Sequence, residues 1–298
     1  MIALGAMLYM AKRPLILDFD DSIGEIDNAD RILLSNWQEA IRFGCSLGKL
    51  QALGRLLDPQ LPRDYGTVLF GSGDYHHLSY LLLTRLKKMG PFQLVVFDNH
   101  PDNMRFPFGI HCGSWVHRAA RLPFISHVHV VGITSPDISG AHLWENHLRP
   151  LYEKRLTYWC MNVDNRWARR IGLAHAFQVC ANPDELLERF SAQARRSTQA
   201  AYLSIDKDVL SAEVAHTNWD QGRLLESHIL DAIDLFKGRI VGSDINGEVS
   251  AYHYQTWWKR WLSALDGQTP IPAEQLADWQ SQQHRLNVRF IDQFESAA

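Results

Sequence analysis

Short apolar runs alternate along this chain with longer amphipathic segments. The runs have the length and composition of strands buried on both faces, and they lie at residues 15–19, 68–70, 94–97, 128–133, 202–205 and 240–243, with a weaker run at 176–179. A parallel sheet covered by helices on both faces buries such strands. We therefore predict an α/β fold of three layers, α-β-α, around a mostly parallel sheet.

Helix signals lie between these runs. Ser35 and Asn36 are typical helix caps and predict a helix that continues to Leu50, and Asn182 followed by Pro183 predicts the start of another. Residues 251–298 predict C-terminal helices, whose expected packing stripe consists of Tyr254, Trp257, Trp258, Trp261 and Leu262. Because no linker or repeat divides the chain, we expect residues 1–298 to form a single domain, with residues 1–9 as an extension.

Composition and charge narrow the classes of function. A chain of 298 residues with 46% hydrophobic and 21% charged residues is typical of a globular protein. A net charge of −3 provides no basic excess for nucleic acid, and no apolar run is long enough to cross a membrane. Four widely spaced cysteines without a CxxC pair predict reduced thiols in a cytoplasmic protein. We therefore expect the partner to be a small-molecule substrate.

Polar residues follow four of the predicted strands, at the sheet edge where open α/β sheets bind ligands. These segments are Gly73-Asp74-Tyr75-His76-His77, Asp98-Asn99-His100-Pro101-Asp102, Asp206-Lys207-Asp208 and Asp244-Ile245-Asn246-Gly247-Glu248. A single aspartate at a strand end is usually a turn former. The spacing Asp-x-His-x-Asp and Asp-x-Asp, however, places alternate side chains on one side of an extended segment. The joint pattern therefore indicates a site rather than a set of turns.

Clustered carboxylates favour metal binding, because they repel one another and resist burial unless cations neutralise them. Four aspartates balance two divalent ions, and oxygen and imidazole donors without a thiolate suit Mn²⁺. Two such ions about 3.5–4 Å apart can share a water, lower its pKa and hold it as hydroxide against an electrophilic carbon. We therefore expect two Mn²⁺ ions per chain and a hydrolytic reaction.

Residues 66–248 resemble the ureohydrolases, the family of arginase, agmatinase and formiminoglutamase. Members carry Gly-Gly-Asp-His, then Asp-Ala-His-x-Asp, then Ser-x-Asp-x-Asp, and this chain has counterparts that begin at Gly73, Asp98 and Ser204. The resemblance implies an arginase-like fold, often in a homo-oligomer. It also implies a binuclear manganese site in which the outer aspartates of the motifs bridge the ions. The implied ligands are His76, Asp98, His100, Asp102, Asp206 and Asp208.

The resemblance also implies catalytic roles for His111 and Asp102, with His111 shuttling protons to the leaving amine. Tyr75 is an insertion relative to the family pattern, so either His76 or His77 can fill the first histidine position. The family's His-x-Leu helix start favours His76.

The chain departs from the guanidine-hydrolysing members in two places. Their Gly-Thr-Gly-Thr-Pro is replaced by residues 215–222, and Gly247 stands where they carry a glutamate, with Glu248 one position later. The expected reaction is thus hydrolysis of a C–N bond in a small guanidino, formimino or amide compound. Candidate substrate-binding residues are Asn218, Asp220 and Glu248, and Arg105 is a candidate partner for a substrate carboxylate.

Three alternatives remain open. The tandem His76-His77 is also found in single-zinc deacetylases of the arginase-like fold, in which Asp206 or Asp208 alone would be dispensable. A metal-binding protein without turnover would explain the changed pocket residues. The segment Leu15–Ser22 is similar to the opening of aspartyl phosphatases, with Asp18 as the nucleophile and Asp20 as the acid.

Overall fold

The computed structural model describes residues 12–265 and 271–298, so the extension expected at residues 1–9 lies outside the described residues. The strands are β1 Leu15–Asp18, β2 Asp30–Leu33, β3 Gly44–Cys45, β4 Val68–Leu69, β5 Phe92–Phe97, β6 Ile110–His111, β7 Ile125–Ile133, β8 Leu156–Met161, β9 Phe177–Cys180, β10 Ala201–Asp206 and β11 Ile240–Asn246. The helices are α1 Gln38–Ile41, α2 Leu47–Leu57, α3 Leu78–Arg85, α4 Val116–Ala119, α5 Arg149–Tyr152, α6 Arg166–Arg170, α7 Pro183–Ala194, α8 Glu226–Leu235, α9 Trp257–Leu265 and α10 Ala273–Ala297. In the part of the chain that the structure describes, every helix is too short or too polar to cross a membrane.

Nine strands form the central sheet in the order β2-β1-β4-β11-β10-β5-β7-β8-β9, and all of its neighbours pair in parallel. A separate antiparallel pair joins β3 to β6. The predicted three-layer α/β fold is confirmed. All seven predicted strands are present, whereas β2 and β8 of the central sheet and the short strands β3 and β6 were not predicted. β2 is a half-exposed edge strand with polar residues, and β8 mixes Thr and Tyr with its apolar residues.

Helices cover both faces of the sheet. Side chains of α2, α3 and α4 pack on one face, where Leu53, Leu82 and Val116 belong to the same apolar cluster. Helices α7, α8 and α10 cover the opposite face through Phe190, Ile229 and other buried residues. Because strand side chains alternate, odd-numbered residues of β10 such as Leu203 face the second core. The even-numbered Tyr202 faces the first.

The helix predicted from Ser35 to Leu50 is wrong in its extent. The chain leaves the helical conformation directly after α1, since Arg42 has a ψ of 141° and Phe43 has a left-handed φ of 67°. A new helix starts at Ser46, whose side chain accepts a hydrogen bond from the Lys49 amide at 3.3 Å. The start predicted at Asn182 is confirmed, since its side chain accepts from the Glu185 amide at 2.9 Å.

The C-terminal region differs from its expected packing stripe. Residues 251–256 are irregular, so Tyr254 packs from a loop and not from a helix. Trp258 and Leu262 pack against it. Trp257 and Trp261 are instead 70% and 59% exposed, because residues four apart share a helix face and theirs points to solvent.

Candidate metal centre

Strand register brings the two aspartate motifs together. β10 lies between β5 and β11, and Ile205 pairs with Phe97. The next residues are Asp206 and Asp98, so these two lie side by side at the carboxyl ends of their strands. His76 lies in the turn after β4. Strand β4 pairs with β11, which is the neighbour of β10 on the side away from β5. The predicted convergence at the carboxyl edge is therefore present in the fold.

Two overlapping groups of side chains form the centre. The Nδ1 atom of His76 lies 3.0 Å from Asp98 Oδ2, 2.9 Å from Asp102 Oδ2 and 3.4 Å from Asp206 Oδ2. The Nδ1 atom of His100 lies 3.5 Å from Asp98 Oδ1 and 2.9 Å from Asp208 Oδ2. Asp98 thus directs one oxygen to each group, and it is the residue that the two possible metal-binding groups share.

Burial and mutual repulsion perturb the carboxyl groups. Burial together with the Asp98 charge raises the pKa of Asp102 to about 7 and that of Asp208 to about 6. Burial and the neighbouring Asp208 raise the pKa of Asp206 well above its usual range. Although burial opposes it, hydrogen bonds to His100 and His76 hold the pKa of Asp98 below its usual range. Four carboxylates this close cannot all ionise at low cost without added positive charge.

The donor set fits divalent cations. Adjacent oxygen ligands of an octahedral ion with bonds of about 2.1 Å lie about 3.0 Å apart, close to the 2.9–3.5 Å separations between the nitrogen and oxygen atoms here. The groups offer aspartate oxygens and imidazole nitrogens and no thiolate. Such a set suits Mn²⁺ and related ions.

Further residues orient the histidines, and the sequence reasoning had missed their role. The Nε2 atom of His76 lies 2.9 Å from Ser204 Oγ, which donates to Asp244 Oδ1 at 2.7 Å. Tyr202 Oη donates to the other Asp244 oxygen at 2.7 Å. These bonds fix the ring so that Nδ1 faces the carboxylates. Ser204 opens the Ser-x-Asp-x-Asp motif, which was the available signal.

Asp102 has an unusual conformation for its residue type. Its φ of 47° lies in the left-handed region, which is strained for a residue other than glycine. Trp115 Nε1 donates to Asp102 Oδ2 at 2.6 Å, and the Val116 amide donates to its carbonyl at 2.9 Å. These contacts from the start of α4 hold the carboxylate against His76.

His76 and His77 differ sharply in their surroundings. His76 faces three carboxylates, whereas the ring of His77 is fully buried and, among the described residues, neither nitrogen has a hydrogen-bond partner. Burial lowers the pKa of His77 well below its usual value, so the ring is neutral. The geometry therefore favours His76 as the candidate ligand.

His111 is a buried, neutral imidazole. Its Nδ1 atom accepts a hydrogen bond from the Gly113 amide at 3.0 Å, which leaves the proton on Nε2. Burial, with a smaller contribution from His117, lowers its pKa to about 3. Phe106 and Phe43 contact the ring, with centroids 4.3 Å and 5.9 Å away.

The candidate substrate-binding residues are placed differently from expectation. Glu248 is 1% exposed and accepts from Lys207 Nζ and from Asn287 Nδ2 of α10, so it is engaged inside the protein. The Asn218 side chain exchanges two hydrogen bonds with the Ser250 backbone. Asp220 does reach the centre, but its Oδ1 atom lies 2.7 Å from His100 Nε2. We correct the first two to structural residues and the third to a partner of His100.

The remaining candidates have protein partners as well. Arg105 Nε donates to the Asn146 carbonyl at 3.3 Å. Asp18 pairs with Arg31 at 2.6 Å, and Asp20 pairs with the buried Arg42 at 3.2 Å. Both aspartates that the phosphatase alternative requires thus form ion pairs with arginines, which argues against Asp18 as a free nucleophile.

No protein-family model matches the chain. An uncharacterized protein of Thermotoga maritima is 27% identical over 248 residues, which make up 82% of this chain and 82% of that protein. The similarity therefore extends over most of both chains.

Solved structures of C–N hydrolases share the fold. Proclavaminate amidino hydrolase from Streptomyces clavuligerus superimposes with a TM-score of 0.57 at 16% identity, covering 96% of this chain and 93% of that one. Formimidoylglutamase from Bacillus subtilis gives 0.56 at 14% identity, with 95% and 87% covered. Agmatine ureohydrolase of Thermoplasma volcanium gives 0.54 at 13% identity, with 96% and 90% covered. The expected arginase/ureohydrolase-like fold is confirmed.

Proposed function

We propose that this chain is a binuclear metal-dependent hydrolase that cleaves a C–N bond in a guanidino, formimino or amide compound. The observation that carries the proposal is the pair of overlapping aspartate and histidine groups at the carboxyl edge of the sheet. Support also comes from the fold, since the similar structures named above are an amidino hydrolase, a ureohydrolase and a formimidoylglutamase.

Two ions per chain fit this centre better than one. Asp98 directs its Oδ2 atom to His76 and its Oδ1 atom to His100, so a single ion could not use both histidines at these distances. Ligands for the first ion would be His76, Asp98, Asp102 and Asp206, and those for the second would be Asp98, His100 and Asp208. We propose Mn²⁺, which suits these oxygen and imidazole donors. When bound, such ions supply Lewis acidity and make hydroxide available near neutral pH.

The surrounding residues hold the ligands in place. Ser204 and Asp244 fix the ring of His76, and Asp220 fixes that of His100 through Nε2. Ligands oriented by such outer hydrogen bonds bind metal more tightly. For Asp102, whose Oδ2 atom lies 2.9 Å from His76 Nδ1, we propose a catalytic role beside metal binding.

His111 is the proposed partner of the leaving nitrogen. With Nδ1 engaged by Gly113, its Nε2–H can donate a hydrogen bond to that nitrogen as the C–N bond breaks. Because its pKa is about 3, a charged imidazole is rare at neutral pH. Because giving up its only proton would leave an imidazolate, the neutral ring contributes positioning, and it passes a proton only after taking one from water. We also propose a cytoplasmic location, which four buried cysteine thiols support.

Metal stoichiometry and product release together test the proposal. The metal content of the protein as purified is first measured by elemental analysis. The protein is then stripped of metal, reloaded with Mn²⁺ and analysed again, and guanidino, formimino and amide compounds are screened for release of urea, formamide or ammonia. Two manganese per chain with product release supports the hydrolase. One zinc per chain supports the deacetylase alternative, and two manganese without any product supports a binding protein. An Asp18→Asn variant serves as the control and should keep its activity.

A further inference from the structure

A continuous series of aromatic rings leads from the candidate metal centre to the protein surface. We call it the aromatic wall, and its members are Trp219, Phe43, His111, Phe106, Trp258 and Phe108. They come from separate parts of the chain: the segment after α1, the loop before β6, the end of β6, the loop after β10, and α9. The proposed function uses only His111 among them.

The inner end of the aromatic wall borders the metal ligands. The Trp219 ring lies 6.0 Å from that of His100, centroid to centroid. A Cβ atom on Gly73 would lie 3.0 Å from Asp206 Oδ2 and 3.4 Å from Trp219 Cδ1, so the indole and the carboxylate face the same small space. Phe43 follows, nearly parallel to Trp219 at 6.4 Å. A group bound along these rings would therefore be next to the reacting atoms.

The outer end of the aromatic wall opens to solvent. Phe106 contacts the edge of His111 at 4.3 Å and lies 6.0 Å from Trp258, which stacks on Phe108 at 5.7 Å. Phe108 is 54% exposed, and Phe106 and Trp258 are partly exposed. Neither of the two apolar clusters on the sheet faces includes these rings. Adjacent aromatic rings left partly in water beside a reactive centre are typical of a ligand site.

The charge beside the aromatic wall disfavours a cationic ligand. Lys259 Nζ lies 5.5 Å from the centroid of Trp258 and donates to the carbonyls of Glu39 and Arg42 at 2.6 and 2.8 Å. Burial lowers its pKa to about 8, so it is mostly charged at neutral pH. It already occupies the cation–π position on this indole and would repel a second cation. Glu39, whose charge acts on Lys259, is engaged by residues 252–256.

We propose that the substrate carries a neutral or anionic aromatic arm beside its scissile C–N bond, and that the aromatic wall binds this arm. The inference rests on the proposed function and sharpens it, since a small polar substrate would leave the outer rings without a contact. The reaction adds water across the C–N bond, so that an arylacetamide yields the arylacetate and ammonia.

Matched substrates and variants test the inference. Ammonia release by the manganese-loaded protein is compared for phenylacetamide and acetamide, and urea release for benzylguanidine and methylguanidine. We expect kcat/KM to favour the aromatic member of the amide pair by about tenfold or more. Trp258→Ala and Phe106→Leu should lower that preference, the ratio of the two kcat/KM values, about tenfold. Trp257→Ala, whose ring is 70% exposed on the same helix, is the control and should change neither rate.

The outcomes separate this inference from the proposed function. Equal kcat/KM for phenylacetamide and acetamide overturns the aromatic arm but leaves the hydrolase intact. A preference for 4-(aminomethyl)phenylacetamide, whose arm carries an ammonium group, over phenylacetamide overturns the exclusion of cations. If no compound is hydrolysed, the proposed function fails for these classes, and dialysis binding of phenylacetate against acetate decides the inference. Tighter binding of phenylacetate that Trp258→Ala abolishes would support it, and equal binding of the two acids would overturn it.

Discussion

Two buried clusters of charge lie at the same edge of the sheet, and they are built on opposite plans. In one, Arg42 is 1% exposed and all its N–H groups have acceptors: Asp74 at 2.7 Å, Asp20 at 3.2 Å, Ser72 at 3.3 Å, and the side chain and carbonyl of Ser250 at 2.9 Å each. One cation meets two carboxylates within a complete hydrogen-bond network. Although burial opposes it, Asp74 raises the pKa of Arg42 above its usual value.

The other cluster is the candidate metal centre, where four carboxylates meet two imidazoles and no lysine or arginine donates to them among the described ion pairs. The pKa values of three of its carboxyl groups, those of Asp102, Asp206 and Asp208, are raised by burial and by neighbouring carboxylates. A protein gains nothing in stability from buried like charges. The difference indicates that the Arg42 cluster supports the fold and that the candidate metal centre is suited to binding cations.

The comparison predicts its largest effect at Asp206. Asp206→Ala removes a ligand that faces His76, so we expect loss of bound manganese and a fall in kcat of about 100-fold or more. In the metal-free protein the same change relieves repulsion, so the free energy of unfolding in urea should not decrease. Elemental analysis, kinetics and urea titration check the three parts. Unchanged manganese content would contradict the assignment, as would a large loss of stability in the metal-free protein.

The balanced cluster should respond in the opposite way. Arg42→Met leaves Asp20 and Asp74 buried without their cation, which should lower the free energy of unfolding by about 3–5 kcal/mol. Arg13→Met is the matched control, because that arginine is 61% exposed and its pair with Asp30 should contribute less than about 1 kcal/mol. Urea denaturation of both variants measures the difference. Equal losses would remove the distinction between the clusters.

The sequence was sufficient to predict seven of the nine strands of the central sheet and the central motifs. Buried parallel strands are continuous apolar runs, and the ligands follow them at fixed spacings of two, as in Asp98, His100 and Asp102. These features are local. The two imidazoles and the aspartates could therefore be located before the fold was known.

The partners of these residues are not local, and they could not be predicted. Ser204 is 128 residues from His76, and Ser250 is 208 residues from Arg42. Glu248 was expected in the substrate pocket because it follows the strand end, but Lys207 binds it. Whether a polar side chain is free or engaged depends on which distant segment packs over it, and one sequence does not contain that information.

A smaller effect is expected at a glycine whose backbone lies close to the metal centre. Gly247 has a φ of 89°, and a Cβ atom there would lie 2.6 Å from the Lys207 amide nitrogen and closer still to Asp206 Oδ1. Gly247→Ala should therefore displace Asp206, weaken manganese binding about 10-fold and lower the free energy of unfolding by about 1–3 kcal/mol. Titration with manganese and urea measures both.

Gly238→Ala separates the effect of backbone strain from that of displacing Asp206. Gly238 has a similar φ of 72° but nothing within 4 Å of its added Cβ. It should therefore lower stability by about 1 kcal/mol and leave manganese affinity unchanged. If both variants bind manganese equally well, the close approach of Gly247 to Asp206 has no functional consequence.

The smallest expected effect is a pH dependence of stability that comes from Glu39, a carboxylate held by hydrogen bonds. Burial tends to raise the pKa of Glu39, but hydrogen bonds from Thr256, Gln255 and Tyr252 outweigh it and lower the pKa from 4.5 to about 2. Because the folded pKa lies below the unfolded one, the contribution of Glu39 to stability is complete above about pH 4.5 and is lost as the pH falls through about 2. Glu39→Gln should flatten this part of the urea-midpoint profile, by less than about 1 kcal/mol because the group is partly exposed. Glu25→Gln, whose side chain is 96% exposed, should leave the profile unchanged, and an identical acid dependence in all three proteins would show that the Glu39 bonds do not hold residues 252–256.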